Sequence, residues 1–105
     1  MNKLSILAAA LIAGTALTAQ AGPAEDAMNK AGCMACHAKD KKLVGPAFKD
    51  IAAKYKGQGD AVAKLSDKVR KGGAGNWGPI PMPPHGADKI SDADLKMVVE
   101  SILKS

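Results

Sequence analysis

Cys33-Met34-Ala35-Cys36-His37 is the stretch that decides the fold of this chain. Two thiols with two residues between them, and a histidine directly after the second, form the attachment signature of c-type haem. Both sulfurs can add to the two vinyl groups at one edge of the porphyrin, which fixes the ring to the backbone. The next side chain then lies under the iron, for which a neutral imidazole is a good axial ligand.

Three other structures use two nearby cysteines: a thioredoxin-type redox pair, half of a zinc site and a structural disulfide. A redox pair opens a helix after a β-strand in a βαβ unit, and no strand pattern precedes Cys33. A zinc site requires further cysteines or paired histidines, and only His85 remains. The sequence therefore favours one haem attached through Cys33 and Cys36, with His37 as one iron ligand.

The N-terminus has the organisation of a secretory signal. Residues 1–3 carry a positive charge, residues 4–17 form an almost unbroken apolar run, and residues 18–21 (Thr-Ala-Gln-Ala) provide a small-x-small cleavage site. An uncleaved membrane anchor is the alternative, but the run is shorter than the ~20 residues that span a bilayer, and no positive cluster follows it. We predict that residues 1–21 are cleaved and that residues 22–105 are a single exported domain, located in the periplasm.

The predicted mature domain is small and basic. Cleavage of 21 of the 105 residues leaves a domain of 84. Of the 15 basic and 10 acidic residues, only Lys3 is removed, so the net charge is +4. A chain of this length buries too little apolar surface to be comfortably stable alone, and a covalently held haem would supply the missing core. A basic surface also suits nucleic acid, but the lysines are scattered and lack interleaved aromatic residues. We therefore predict no nucleic-acid partner, and we expect a monomer.

The mature sequence predicts four helices joined by loops rich in glycine and proline, with no β-sheet. The first helix starts at Pro23, and the second follows Gly45-Pro46. Asp60 is expected to cap the third helix, and Ser91 the last. Apolar residues at helical spacing predict the core: Ala24, Ala27, Met28 and Ala31; Phe48, Ile51, Ala52 and Tyr55; Val62, Leu65 and Val69; Leu95, Val98, Val99 and Ile102.

Residues 72–86 differ in character, because they contain five glycines and four prolines. Prolines fix φ, so this stretch is predicted to be a stiff, shaped loop. Met82 lies between Pro81 and Pro83, which present its thioether at a low cost in ordering entropy and suit it as the second axial ligand. His85 is the rival ligand, and it lies outside the proline clamp. The sequence favours Met82.

These motifs resemble those of a known family. The Cys33–His37 stretch, then Val44-Gly45-Pro46-Ala47, then Trp77-Gly78-Pro79-Ile80-Pro81-Met82-Pro83-Pro84 have the order and spacing of small bacterial class I cytochromes c, the c-551/c-552 group. The resemblance covers essentially all of residues 22–105. It implies an all-α cytochrome c fold, with about four helices wrapped around one covalently attached haem and low-spin His/Met ligation. It also implies periplasmic transfer of one electron from a quinol-oxidising complex or other donor to a terminal reductase, such as a nitrite reductase, or oxidase.

The resemblance implies residue roles as well. The attachment sites and the axial pair are Cys33, Cys36, His37 and Met82. The Pro46 carbonyl is expected to accept the other ring N–H of His37, and the Trp77 indole N–H to reach a haem propionate. There are departures from the family pattern. Lys68 stands where relatives carry an arginine as a propionate partner, and Ser101 stands where they often carry a tryptophan.

Two classes of function fit a haem protein of this size. An electron carrier keeps both axial positions filled, and methionine ligation with haem burial raises its potential. A haem enzyme or gas sensor, such as a peroxidase, is the alternative, and it requires a labile sixth ligand or an open distal site with an acid–base group. The proline-clamped thioether favours the electron carrier, so no catalytic residues are predicted. Exposed lysines are expected to steer it towards acidic redox partners: Lys39, Lys41, Lys42 and Lys49.

Overall fold

The last helix, α4 (Asp92–Leu103), is the element on which the other three helices pack. The computed structural model describes residues 22–105, and the predicted signal over residues 1–21 lies outside them. The other helices are α1 (Pro23–Ala31), α2 (Phe48–Tyr55) and α3 (Ala61–Lys71), and a 3₁₀ turn over Cys33–Ala35 follows α1. The four predicted helices are confirmed. Within residues 22–105, no helix is both long and apolar enough to cross a membrane.

The core forms around one stripe of α4. Leu95, Val98, Val99 and Ile102 recur at the helical spacing and are all buried, and Val99 is fully enclosed. The predicted apolar face of α3 is only half-buried within the described chain, because Leu65 and Val69 line the cleft described below. The buried cluster is completed by residues of the other elements: Ala27, Met28, Ala31, Phe48, Ile51 and Ile90.

The helix N-termini only partly follow the predicted capping. Ser91 caps α4 as expected, since its hydroxyl accepts the Asp94 backbone N–H at 3.2 Å. The predicted cap at Asp60 is wrong, because its side chain accepts no helix N–H and instead pairs with Lys64 at 3.3 Å. The backbone of Asp60, with φ −100° and ψ 10°, is not in the extended conformation that turns a capping side chain back onto its helix.

The expectation that the domain has no β-sheet is also wrong. Strands β1 (Gly73–Gly75) and β2 (Gly78–Met82) form an antiparallel hairpin, with Gly73 opposite Met82 and Gly75 opposite Gly78. Successive residues of a strand point their backbone groups to opposite edges. The register is irregular between these two pairs, and neither proline of β2 is at a paired position, so the pairs do not use the N–H that proline lacks. The domain is still mostly helical.

Candidate haem site

A cleft of about 1160 Å³, including its open mouth, lies between the helices and the hairpin. Its lining is mostly apolar and comes from parts of the chain that are distant in sequence. The Cys33–Ala35 turn and the residues that follow it meet the hairpin and the buried stripe of α4 there. The volume and lining suit a large apolar ligand with few polar groups.

The turn after α1 brings both thiols to this cleft. The backbone N–H groups of Cys36 and His37 donate to the Cys33 carbonyl at 3.2 and 3.0 Å, and this closes the tight 3₁₀ turn. Cys33 and Cys36 are both half-buried and line the cleft. The predicted thioether-forming pair therefore faces the same space as His37.

The Cys33 thiol is not in the environment of a redox-active cysteine. Burial raises the pKa of Cys33, and the neighbouring Cys36 adds to the rise, although a backbone hydrogen bond opposes it. Reactive redox cysteines instead have a lowered pKa, because a positive environment stabilises their thiolate. The direction of this pKa shift disfavours a thioredoxin-type pair.

His37 is held from three sides. Its Nδ1 lies 2.8 Å from the Pro46 carbonyl oxygen, so Nδ1 carries the proton and donates to it. Its ring stacks on Phe48, with 5.4 Å between centroids and 21° between planes. A Cβ on Gly45 would come within 2.5 Å of the His37 Cε1 atom, so only glycine leaves room for the ring. The imidazole is 9% exposed and lines the cleft with its orientation fixed.

The two candidates for the second ligand occupy different places. Met82, at the end of β2, is half-buried and lines the cleft with His37. His85 is 8% exposed, but it is not among the described residues that line the cleft. Its Nδ1 is buried and has no hydrogen-bond partner among residues 22–105, and its backbone N–H donates to the Val69 carbonyl at 2.9 Å. The structure brings Met82 and His37 together and leaves His85 outside.

Trp77 and Lys68 are two of the polar residues in the lining. Trp77 is 40% exposed, and Lys54 of α2 places its Nζ 4.7 Å from the centroid of the Trp77 ring, a cation–π contact. Lys68 is half-buried and is the one charged residue of the cleft lining within residues 22–105. A single ammonium and no carboxylate suit a ligand whose own charges are negative.

Sequence reasoning missed the contacts of Gly45 and Lys54. Gly45 was interpreted as part of a helix-opening Gly-Pro pair and of a family motif, and Lys54 was assigned no role. Gly45 is 8 residues from His37, and Lys54 is 23 residues from Trp77, so neither contact belongs to the residue spacing of one helix or turn. The available signal was the glycine directly before Pro46. A ring that binds the Pro46 carbonyl must come close to the backbone there, and glycine leaves room for it.

An apolar cleft that collects two thiols, an imidazole and a thioether fits one covalently attached haem, and it places this molecule among the small helical c-type haem proteins. Comparison with known proteins then gives the family. The model of the Cytochrome c family matches residues 21–105, so the chain belongs to the cytochrome c family.

Relatives and solved structures agree with this family. Cytochrome c2 of Rubrivivax gelatinosus is 51% identical over 81% of this chain and 99% of its own length. Cytochrome c-551 of Pseudomonas aeruginosa is 45% identical over 89% of each chain. The crystal structure of Nitrosomonas europaea cytochrome c552 matches with a TM-score of 0.70 and 48% identity, over 76% of this chain and 96% of that one.

These similarities confirm the predicted class I cytochrome c fold and the resemblance to the c-551/c-552 group. The protein is accordingly a small electron carrier with one covalently attached c-type haem, and it is not an enzyme. The alternative of a peroxidase-like enzyme or gas sensor is not supported.

Proposed function

We propose that this protein is a periplasmic one-electron carrier in which Cys33 and Cys36 would be bonded to a haem, and His37 and Met82 would hold its iron. The observation that carries the proposal is the shared lining of one apolar cleft by all four side chains. The bound haem supplies the chemistry, the exchange of one electron between Fe(II) and Fe(III). The residues of the chain supply attachment, orientation and exclusion of water.

His37 is prepared for iron by its contacts. Donation from Nδ1–H to the Pro46 carbonyl fixes the tautomer and leaves the Nε2 lone pair free for a metal. The same hydrogen bond makes the imidazole a stronger electron donor. Packing against Phe48 and Gly45 restricts rotation of the ring, so little reorganisation accompanies a change in iron charge.

Met82 is the ligand that raises the potential. A thioether favours ferrous iron, and so does an apolar surrounding, because the ferrous state carries less charge. The cleft lining holds one charged side chain within the described chain, Lys68, so the surroundings of the site are of low polarity. Pro81 and Pro83 on either side of Met82 restrict the backbone that presents the sulfur.

Trp77 and Lys68 are proposed to bind the haem propionates. The indole N–H of Trp77 is a donor without acceptor capacity, and the ammonium of Lys68 attracts a carboxylate. Both side chains line the cleft. The contact of Lys54 with the Trp77 ring would hold the indole in place.

The surface beside the cleft is suited to a redox partner. Leu43, Val44 and Ile80 are 42%, 49% and 61% exposed, and the last two also line the cleft, so apolar surface surrounds its mouth. The lysine cluster, defined as Lys39, Lys41 and Lys42, directly precedes Leu43 and is exposed. An apolar centre with a charged rim is the arrangement of transient protein interfaces. We propose acidic partners: a quinol-oxidising complex as donor, and a terminal reductase or oxidase as acceptor.

Export completes the proposal. The positive start, apolar run and small-residue end of residues 1–21 direct secretion, and cleavage leaves the domain of residues 22–105 as a periplasmic monomer. Attachment of a c-type haem outside the cytoplasm agrees with this route.

The assignment of the sixth ligand is tested by two variants of the holoprotein. Met82→Ala should keep its covalent haem but have a lower potential. It should also bind cyanide about tenfold more tightly or better, because no tethered thioether competes for the iron. His85→Ala is the matched control, and its potential and cyanide affinity should equal those of the unmodified protein. The opposite pattern, with His85→Ala altered and Met82→Ala unchanged, would assign the iron to His85.

A further inference from the structure

The chain just after Met82 is fastened to the end of α3. Gly72, which ends this helix with φ +66°, lies so close to the Met82 carbonyl oxygen that an added Cβ would collide with it. Three residues after Met82, the His85 backbone N–H donates to the Val69 carbonyl at 2.9 Å. Two prolines, Pro83 and Pro84, occupy the interval, so the link from Met82 to this hydrogen bond is short and stiff.

The guanidinium of Arg70 holds the same segment through the carbonyl of His85. Arg70 donates from Nη1 to the His85 carbonyl at 3.2 Å and to the Ile90 carbonyl at 2.7 Å. Its Nη2 pairs with the Asp92 carboxylate at 2.6 Å. A single side chain of α3 thereby connects the segment after Met82 with the start of α4. Arg70 is 22% exposed and Asp92 is 97% exposed, so the carbonyl contacts lie on the inner side of the pair.

We propose that Arg70 is a positioning residue for the Met82 sulfur, an inference that rests on the proposed ligation by Met82. The guanidinium fixes the His85 carbonyl, and the Pro83-Pro84 pair transmits that position to Met82. Within residues 22–105, the two neighbouring lysines of α3 are engaged elsewhere, because Lys68 lines the cleft and Lys71 pairs with Asp67 on the surface at 3.0 Å. Without the guanidinium, the segment from Met82 to His85 can move, and the Met82 sulfur leaves the iron more often.

The Asp92 pair contributes little to this function. An ion pair with one fully solvated partner has a small net energy, because water screens it. The two carbonyl contacts are charge-assisted hydrogen bonds, and Ile90 is 4% exposed, so its carbonyl lies in a buried part of the chain. The positioning effect therefore belongs to the carbonyl contacts.

The experiment titrates ferric holoproteins with imidazole, which binds only when Met82 leaves the iron. Arg70→Ala should bind imidazole about tenfold more tightly, the factor expected from loss of one charge-assisted hydrogen bond. The imidazole affinity of Arg70→Lys should lie between those of the unmodified protein and Arg70→Ala, because the ammonium of lysine is a point charge and cannot bridge both carbonyls. Lys71→Ala removes the same charge from the same helix end, and it should match the unmodified protein, as should Asp92→Ala.

A further variant separates positioning from general destabilisation. Ser91→Ala removes the cap of α4 without touching the segment after Met82. If Ser91→Ala raises imidazole affinity as much as Arg70→Ala, the effect is general and the positioning role is overturned. Unchanged imidazole affinity in both Arg70 variants also overturns it. Absence of the red-end methionine-to-ferric-iron band from the unmodified protein would overturn the ligation by Met82 itself, which distinguishes that failure from the failure of the Arg70 inference.

Discussion

Replacement of Gly45 by alanine tests how closely the imidazole of His37 is held. An alanine Cβ would lie 2.5 Å from Cε1, 2.9 Å from Nδ1 and 3.0 Å from Nε2 of the ring. Carbon atoms in favourable contact are about 3.5–4.0 Å apart, so the ring must retreat by about 1 Å. Gly45 does not have a positive φ, so alanine causes no backbone strain and the effect is steric.

The retreat has an energetic cost that can be worked out from these contacts. A ring moved by about 1 Å no longer reaches the Pro46 carbonyl, now 2.8 Å from Nδ1. The lost hydrogen bond costs about 1 kcal/mol, and overpacking of a close-packed site costs about 1–3 kcal/mol. The free energy of unfolding should therefore fall by about 2–4 kcal/mol, which lowers the Tm of a domain of this size by about 8–32 °C.

Thermal unfolding of the holoprotein measures the stability change, and voltammetry measures a second consequence. Without its acceptor the imidazole donates less electron density, so ferrous iron is favoured and the potential should rise. Gly59→Ala is the matched control. Apart from its chain neighbours, no atom of residues 22–105 lies within 4 Å of the added Cβ, and the φ of Gly59 is not positive either. A Gly45→Ala protein with the Tm and potential of Gly59→Ala would refute the tight contact.

Two further predictions concern docking and export. Glutamate at all three positions of the lysine cluster should slow electron transfer to an acidic partner about tenfold or more at low salt, and the difference should shrink at high salt. The control variant makes the same charge change at three exposed lysines outside the cleft lining: Lys89, Lys96 and Lys104. It should slow electron transfer less than the change in the lysine cluster. Equal slowing would mean that only net charge matters. Mass spectrometry of the exported protein should give a chain that begins at Gly22, whereas retention of residues 1–21 would contradict the predicted cleavage.

Local patterns predicted the parts of the molecule that depend on local chemistry. The Cys33–His37 motif specifies attachment within five residues, and the spacing of apolar residues in α4 gave its buried stripe correctly. Ser91 was identified as a cap because the capping contact joins residues only three positions apart. Asp60 also has a side-chain oxygen that can cap a helix, but its backbone conformation prevents the capping contact. The sequence does not show that conformation.

Contacts between distant residues were beyond such patterns. Arg70 lies in the last turn of α3, where the helix dipole favours any cation. Its acceptors are nevertheless two carbonyls and a carboxylate 15 to 22 residues away. A backbone carbonyl has no sequence signature, so this contact could not be predicted. The hairpin was missed for a different reason, because the prolines of β2 were interpreted as loop residues. Their alternate spacing, which leaves every second N–H free to pair, was the signal for a strand.

The absorption spectrum of the ferric mature holoprotein tests the central claim most directly. Ligation of ferric iron by the Met82 sulfur predicts a weak charge-transfer band near the red end of the visible spectrum, and this band should be absent from Met82→Ala and retained in His85→Ala. A ferric protein that lacks the band, or keeps it after Met82 is replaced, would contradict His37/Met82 ligation.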